Sequence, residues 1–528
     1  MRKRIIAAAA SAVMLLLAVP ASAAAPTPGA PGVGDPYYPT YGNGGYDVSH
    51  YDLRLKYQPT TDFLEGTATI LATTTQALSR FNLDFALDVQ EVRVNGRPAT
   101  YAFTGEQELE VTPAAALAKG QPITVVVRYS GTPSKVKRYG FDAWLRTPDG
   151  GVAADEPEMA WWWFPSNDHP LDKATFDVSV LVPDGTQAIS NGTLVSSSSK
   201  LGWTRFNWRE NKPQATYLAT LAVGHFDLST ATTTATGIPV INAYSKDLGD
   251  NDGAARASLE RTGEIVDWLS TYFGPYPFAT VGGYVPNVTT GYALENQTRV
   301  FYSPKQFAKG ANTSVVVHEL AHQWYGDSVS LEKWSDIWLN EGFATYAQWL
   351  WSEHEDEGTA QQLADYVYAS HPADDAFWQI EPGDPGADDP FALPVYDRGA
   401  LAIQQLRNTV GDQKFFEILK AWPTEHRYGN GTIAQFRALA ERISGKQLGP
   451  LFQTWLYTKG KPALPGATAK LAAPQPRSWA QIQASNAEHP RPAKSAKPAT
   501  QWPPAQGAQP AQPATQWPPA QPGIAPTR

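Results

Sequence analysis

Not one of the 528 residues is a cysteine, which excludes disulfides, thiolate catalysis, cysteine-based metal sites and lipid attachment to a cysteine. Any metal must therefore be held by histidines and carboxylates. Positive charge is also short: 42 Lys and Arg stand against 51 Asp and Glu, for a net charge of −9, and that balance disfavours nucleic acid as a partner. Long apolar runs are missing beyond residue 19, so no membrane span of ~18 or more residues is expected. The stretch 466–528 is poor in large apolar residues and crowded with proline, and it repeats Pro-Ala-Thr-Gln-Trp-Pro-Pro-Ala-Gln at 498–506 and 513–521. Such a composition predicts an extended, disordered tail.

What is present begins with an export pattern. Arg2, Lys3 and Arg4 precede an apolar run over 5–19 and the small-residue site Ala21-Ser22-Ala23, as in a cleavable signal peptide of 1–23. Its removal takes away three cations and no acids, leaving a more acidic mature chain. A secreted, extracellular protein is expected, and a monomer.

A Pro/Gly-rich linker over 24–44 leads into a period-2 pattern. Tyr51, Leu53, Leu55 and Tyr57 alternate with Asp52, Arg54 and Lys56, and further strands follow at 81–85, 92–94 and 123–129. Residues 45–228 read as one β-rich antiparallel domain. From about residue 254 the spacing turns helical, with Leu259, Ile265, Val266 and Leu269 ahead of Phe273-Gly274-Pro275. Thr432-Ile433-Ala434-Gln435 has the spacing of a capping box, with Gly445 as the stop. Residues 229–465 therefore read as a mostly helical second domain, and the class is α+β multidomain.

The chemistry concentrates in the helical half. His318-Glu319-Leu320-Ala321-His322 lies in an apolar run free of Gly and Pro, so its two imidazoles share one helix face, one turn apart, and can reach a single ion. A hydrolytic zinc site takes three protein ligands and keeps one position open. Glu341 is the candidate third ligand: it follows His322 by 19 residues, within Trp338-Leu339-Asn340-Glu341-Gly342-Phe343-Ala344, where apolar neighbours imply burial and burial demands a partner. Glu319, next to the first ligand, is placed to serve as general base toward a zinc-acidified water. One Zn2+ per chain is expected.

These residues resemble the aminopeptidase N family of gluzincins, which also includes a bifunctional leukotriene hydrolase. The likeness rests on His318 to Trp324 with Asn340-Glu341-Gly342-Phe343-Ala344, on Tyr396-Asp397-Arg398-Gly399-Ala400, and on Tyr292-Ala293-Leu294-Glu295-Asn296. The resemblance implies a β-rich domain followed by a thermolysin-like zinc peptidase domain. It makes Tyr396 the stabiliser of the tetrahedral intermediate, and Glu295 the group that binds a free α-amine, with Leu294 and Asn296 as further substrate-binding residues. Tyr292 and Leu294 depart from the family's Gly-x-Met-Glu-Asn. Glu156, before Phe164-Pro165-Ser166-Asn167-Asp168, is implied as a second acid at the amine. The resemblance runs from about 47 to 464 and does not extend to the large helical C-terminal domain of many members. Peptides with a free N-terminus are the expected substrates. A thermolysin-like endopeptidase would share the metal residues without needing Glu295, and a non-catalytic scaffold would need none of them.

Overall fold

A computed structural model describes residues 25–137, 143–157, 159–464 and 473–485. Residues 1–24, where a signal peptide is expected, and most of 466–528 lie outside the described residues.

The first domain is built on an eight-stranded sheet with Tyr46–Gln58 and Phe63–Thr74 at its centre. The alternation seen in the sequence is the cause: Tyr51, Leu53, Leu55 and Tyr57 are buried while Arg54 and Lys56 face outward. One pairing differs from the antiparallel expectation, since Ala174–Pro183 runs parallel to Tyr46–Gln58. The intervening 115 residues or so that make this crossover also contribute to two smaller sheets, one completed by Thr27–Pro28 and the other by Gln187–Ser190 and Leu221–Gly224, and Trp161, Trp162, Trp163 and Phe164 lie in the shared core.

The second domain opens not on helices but on a five-stranded sheet: Phe226–Thr232, Pro239–Ser245, Gly283–Val285, Val300–Tyr302 and the edge strand Ala293–Leu294. The last three strands are two or three residues long and buried on both faces, so no alternation marks them in the sequence. One face of this sheet contributes Tyr284, Tyr292, Leu294 and Phe301 to the first domain's core, and the other packs on the helices. Three helices carry the chemistry: α1, Thr313–His322; α2, Trp338–His354; and α3, Leu393–Val410. Their neighbour Ile433–Ser444 starts at the expected capping box, with Thr432 and Gln435 bonded reciprocally, and stops at the left-handed Gly445.

Two segments expected to be linker and tail are packed. In the former, the Asp35 carboxylate accepts from the Trp334 N–H at 2.8 Å and from Tyr37 N–H and Tyr38 N–H, and the Tyr37 hydroxyl bonds Asp384 and Gly386. Pro and Gly content concealed these fixed partners. In the latter, residues 473–485 end in a short helix, α4, Trp479–Ser485, with Trp479 and Ile482 buried. Ser478 Oγ lies 2.6 Å from Ser352 Oγ, Arg477 N–H donates to Glu357 O at 2.9 Å, and Trp479 meets Tyr366 edge-on. The low-complexity composition on either side masked one apolar anchor. Ile482→Ala is expected to cost ~2–4 kcal/mol and lower the melting temperature by several degrees in calorimetry; an unchanged melting temperature would contradict the docking of this segment.

Candidate metal centre and amine pocket

Helix α1 begins at Asn312, whose side chain accepts from Ser314 N–H (3.1 Å) and Val315 N–H (3.3 Å), so the register of the helix is set before the histidines arrive. His318 and His322 both point Nε2 at one oxygen of Glu341, at 3.2 and 3.5 Å. Glu341 comes from α2, and α2 approaches α3 closely because two glycines flank the Trp338 indole. A Cβ at Gly342 or Gly399 would sit 2.5 or 2.6 Å from that ring. The glycines that follow Glu341 and Tyr396 in the sequence thus let the helices bearing these side chains meet, and the Trp338 Nε1–H donates to Gly399 O at 3.1 Å.

The tautomers follow from the outer partners. His322 Nδ1 lies 3.0 Å from the Tyr325 carbonyl, which can only accept, so in the neutral ring Nδ1 carries the proton and Nε2 has the lone pair a metal needs. His318 Nδ1 lies 3.1 Å from Gln348 Oε1, and the Gln348 amide nitrogen is committed to Ser314 Oγ (2.9 Å) and Ser314 O (3.2 Å), fixing the oxygen toward the imidazole. Two imidazole nitrogens and one carboxylate oxygen, buried and within 4.8 Å of one another, are a donor set that fits zinc.

The other carboxylates gather at the same place. Glu295, Glu319 and His322 also bring their ligating atoms within 4.8 Å of one another. Glu295 follows the edge strand Ala293–Leu294; its Oε1 accepts from the Tyr217 hydroxyl at 3.2 Å and its backbone carbonyl from Gln323 Nε2 at 3.1 Å. Glu156, from the first domain, is buried with Oε1 lacking a hydrogen-bond partner, and Glu295, Glu341 and Glu319 are the charges that act on it most. Burial and these like charges push Glu156 and Glu319 well above the usual carboxylate range. Tyr396 is buried with its ring nearly parallel to that of His318 at 6.1 Å; burial and the surrounding glutamates keep its phenol protonated.

Two further residues named from the resemblance flank Glu295 in the sequence. Leu294 packs in the first domain's core, and Asn296 donates to Leu218 O at 3.3 Å. The Tyr292 hydroxyl donates to Ala154 O at 3.0 Å, two residues before Glu156, and so ties the segment carrying Glu156 to the five-stranded sheet's edge. Tyr217, Gln323, Gln348 and the buried Arg398, which donates to the carbonyls of Trp378, Ile380 and Trp455, were not singled out in the sequence. Tyr217 and Gln348 carry no local pattern, while Gln323 and Arg398 fall inside the quoted motifs without a role of their own, because each acts through a partner remote in the chain.

Burial pulls the pKa of His322 down, but the charges of Glu341 and Glu295 outweigh it and hold the imidazole well above its ordinary value. Burial alone would raise Glu341, yet the two histidines bring it below the usual carboxylate range. A metal needs the His322 Nε2 lone pair, so its binding competes with the proton that this field favours on His322. Zinc affinity is expected to weaken as pH falls, with a proton released per ion in titrations run in buffers of different ionisation enthalpy. An affinity independent of pH, with no proton release, would contradict this.

Residues 48–218 match the Peptidase M1 N-terminal domain and residues 257–455 the Peptidase family M1 domain. The chain is 27% identical over 447 residues to Aminopeptidase M1-D of Oryza sativa subsp. japonica, covering 78% of this chain and 50% of that protein. It is 30% identical over 337 residues to Aminopeptidase M1 of Arabidopsis thaliana, covering 59% and 37%. It therefore spans about half or less of the length of these curated relatives. The crystal structure of the M1 zinc metallopeptidase from Deinococcus radiodurans superposes with a TM-score of 0.74 at 29% identity, over 83% of this chain and 99% of that one. A mutant of that protein bound to a Tyr-Ser-Ala substrate superposes equally well, at 0.74 and 29%. With both M1 domains matched in order and a donor set that fits zinc assembled between two helices of the second, the chain belongs to peptidase family M1.

Proposed function

We propose that this protein is a zinc aminopeptidase that removes the first residue from peptides with a free α-amine. The observation that carries the reading is the position of Glu295: its carboxylate lies within 4.8 Å of Glu319 and of the zinc ligand His322. In a peptide the α-nitrogen and the first carbonyl carbon are roughly 2.5 Å apart, across one Cα. An ammonium held at Glu295 therefore presents the first carbonyl, and no later one, to the metal.

His318, His322 and Glu341 hold the zinc, which when bound supplies Lewis acidity and an acidified water. Glu319 takes the proton of the attacking water and passes it to the leaving nitrogen, which becomes the new amine. The Tyr396 phenol, an uncharged donor at neutral pH, hydrogen-bonds the carbonyl oxygen as negative charge builds there. Glu295 and Glu156 receive the ammonium, and its charge relieves the repulsion between two buried carboxyls. Acylation removes that charge and leaves the pair unmatched, so blocked N-termini are rejected. The homologous aminopeptidases, and the substrate-bound mutant of the Deinococcus enzyme, support the same assignment.

Secretion is part of the proposal, supported by the basic, apolar and Ala-Ser-Ala succession of 1–23. Among the described residues no helix is long and apolar enough to cross a membrane. A monomer without a nucleic-acid partner fits the acidic balance.

Glu295→Gln should leave zinc content unchanged and lower kcat/KM on aminoacyl amides by ~30-fold or more, as for truncation of a buried charge partner. Glu319→Gln should keep zinc and lower kcat by roughly 100-fold or more. Full activity of Glu295→Gln on free-amine substrates would favour the endopeptidase reading instead.

A further inference from the structure

A second group of unsatisfied oxygens lies in the first domain, remote in sequence from every metal ligand. Strand Leu78–Asp84 pairs with Glu108–Thr112 so that Asp84 stands directly opposite Glu108. On its other side Asp84 bridges to Ser166, with the two backbones exchanging hydrogen bonds of 2.8 and 3.0 Å. Cross-strand neighbours project to one face of a sheet, so Glu108, Asp84 and Ser166 form a single row of side chains. Asn43, from the segment that precedes the domain, joins this row by donating from Nδ2 to Asp84 Oδ2 at 3.1 Å.

The row is deeply buried: Asn43, Asp84 and Ser166 are at most 1% exposed and Glu108 is 7% exposed. Half of its carboxylate oxygens are accounted for. Asp84 Oδ2 also accepts from Asp168 N–H at 2.8 Å, Gln107 touches the same carboxylate, and Glu108 Oε2 accepts from Asn82 Nδ2 at 2.8 Å. Asp84 Oδ1, Glu108 Oε1, Asn43 Oδ1 and Ser166 Oγ are left without a hydrogen-bond partner. Among the described residues no basic side chain is paired with either carboxylate.

Two buried carboxylates, each with an oxygen facing no donor, are costly unless a counter-charge is present. The four remaining donors are all oxygens, two anionic and two neutral, and no imidazole is among them. That is the ligand chemistry of a hard cation that takes six to eight oxygens and completes its shell with water. Burial pushes both carboxyls upward, Glu108 to about 7 and Asp84 well above its ordinary range, so holding both charges without a counter-ion is disfavoured. A proton shared between the carboxyls is the competing solution. It would serve Asp84 Oδ1 and Glu108 Oε1 and leave Asn43 Oδ1 and Ser166 Oγ unserved.

We propose that Asp84, Glu108, Asn43 and Ser166 bind one Ca2+ ion, which fastens the segment before residue 45 to the first domain. This site is independent of zinc and of the catalytic reading. The ion would also brace 166–169, and His169 bonds the same Asp35 carboxylate that anchors Trp334 of the catalytic domain.

The test is calorimetric titration of the full zinc-loaded chain with CaCl2, after dialysis into calcium-free buffer with zinc retained, together with melting curves across calcium concentration. The expected result is one Ca2+ per chain and a melting temperature that climbs with calcium by mass action. Asp84→Asn should abolish binding and Asn43→Ala should weaken it at least tenfold, both with zinc content unchanged. Asn43→Ala keeps the test open should Asp84→Asn fail to fold. Absence of calcium binding by the unaltered chain, or equal binding by Asn43→Ala, would overturn the proposal. A shared proton would be indicated by Asp84→Asn melting at or above the parent temperature with no calcium effect.

Discussion

Four carboxylates, Glu156, Glu295, Glu319 and Glu341, are buried within one another's influence beside two imidazoles, and the rest of the molecule is arranged to keep them there. Water would otherwise solvate such charges, and an interior can hold them only with counter-charge supplied at the spot. A zinc ion and a substrate ammonium are the two cations this arrangement suits, one facing Glu341 and the histidines, the other Glu295 and Glu156. The repulsion that costs stability in the empty protein is therefore also the source of affinity for both.

No single element could assemble this set. Glu319 and Glu341 come from helices α1 and α2, Glu295 from the end of an edge strand, and Glu156 from the other domain, so the geometry depends on domain docking. The contacts at that boundary are buried and specific. Lys173 of the first domain donates its Nζ to the carbonyls of Asp327 and Ser328, just past the zinc helix, at 2.7 and 3.1 Å. Arg299, following the amine pocket, reaches back to Gly192 O at 2.9 Å, and Asn191 Nδ2 donates to Gln297 O at 2.7 Å. Donors aimed at backbone carbonyls fix the orientation of the two domains without being spent on the carboxylates of the site.

The metal centre was legible in the sequence because its determinants are local. Two histidines four residues apart on an apolar helix, and a glutamate in a second apolar helix, leave few other uses for those side chains. Glu319 was equally plain from its adjacency to His318. The amine pocket was readable only through the family resemblance, since nothing within the sequence links Glu156 to Glu295 across 139 positions. Leu294 and Asn296 also came only from the resemblance; in the structure Leu294 packs in the first domain's core and Asn296 Nδ2 bonds the Leu218 carbonyl. The five-stranded sheet escaped notice because its short strands are buried on both faces. Segments 25–44 and 473–485 escaped because composition averages over long stretches, whereas docking depends on a few residues such as Asp35, Tyr37 and Ile482.

The account stands or falls on the free α-amine. The direct measurement is hydrolysis of fluorogenic aminoacyl amides beside their N-acetylated twins, by the mature protein, with chelator and with zinc restored. Cleavage confined to free amines, lost with the metal and recovered with it, is the result expected from an amine anchor set beside the zinc ligands. Comparable cleavage of the acetylated twins, or zinc-dependent cleavage within blocked peptides, would contradict it.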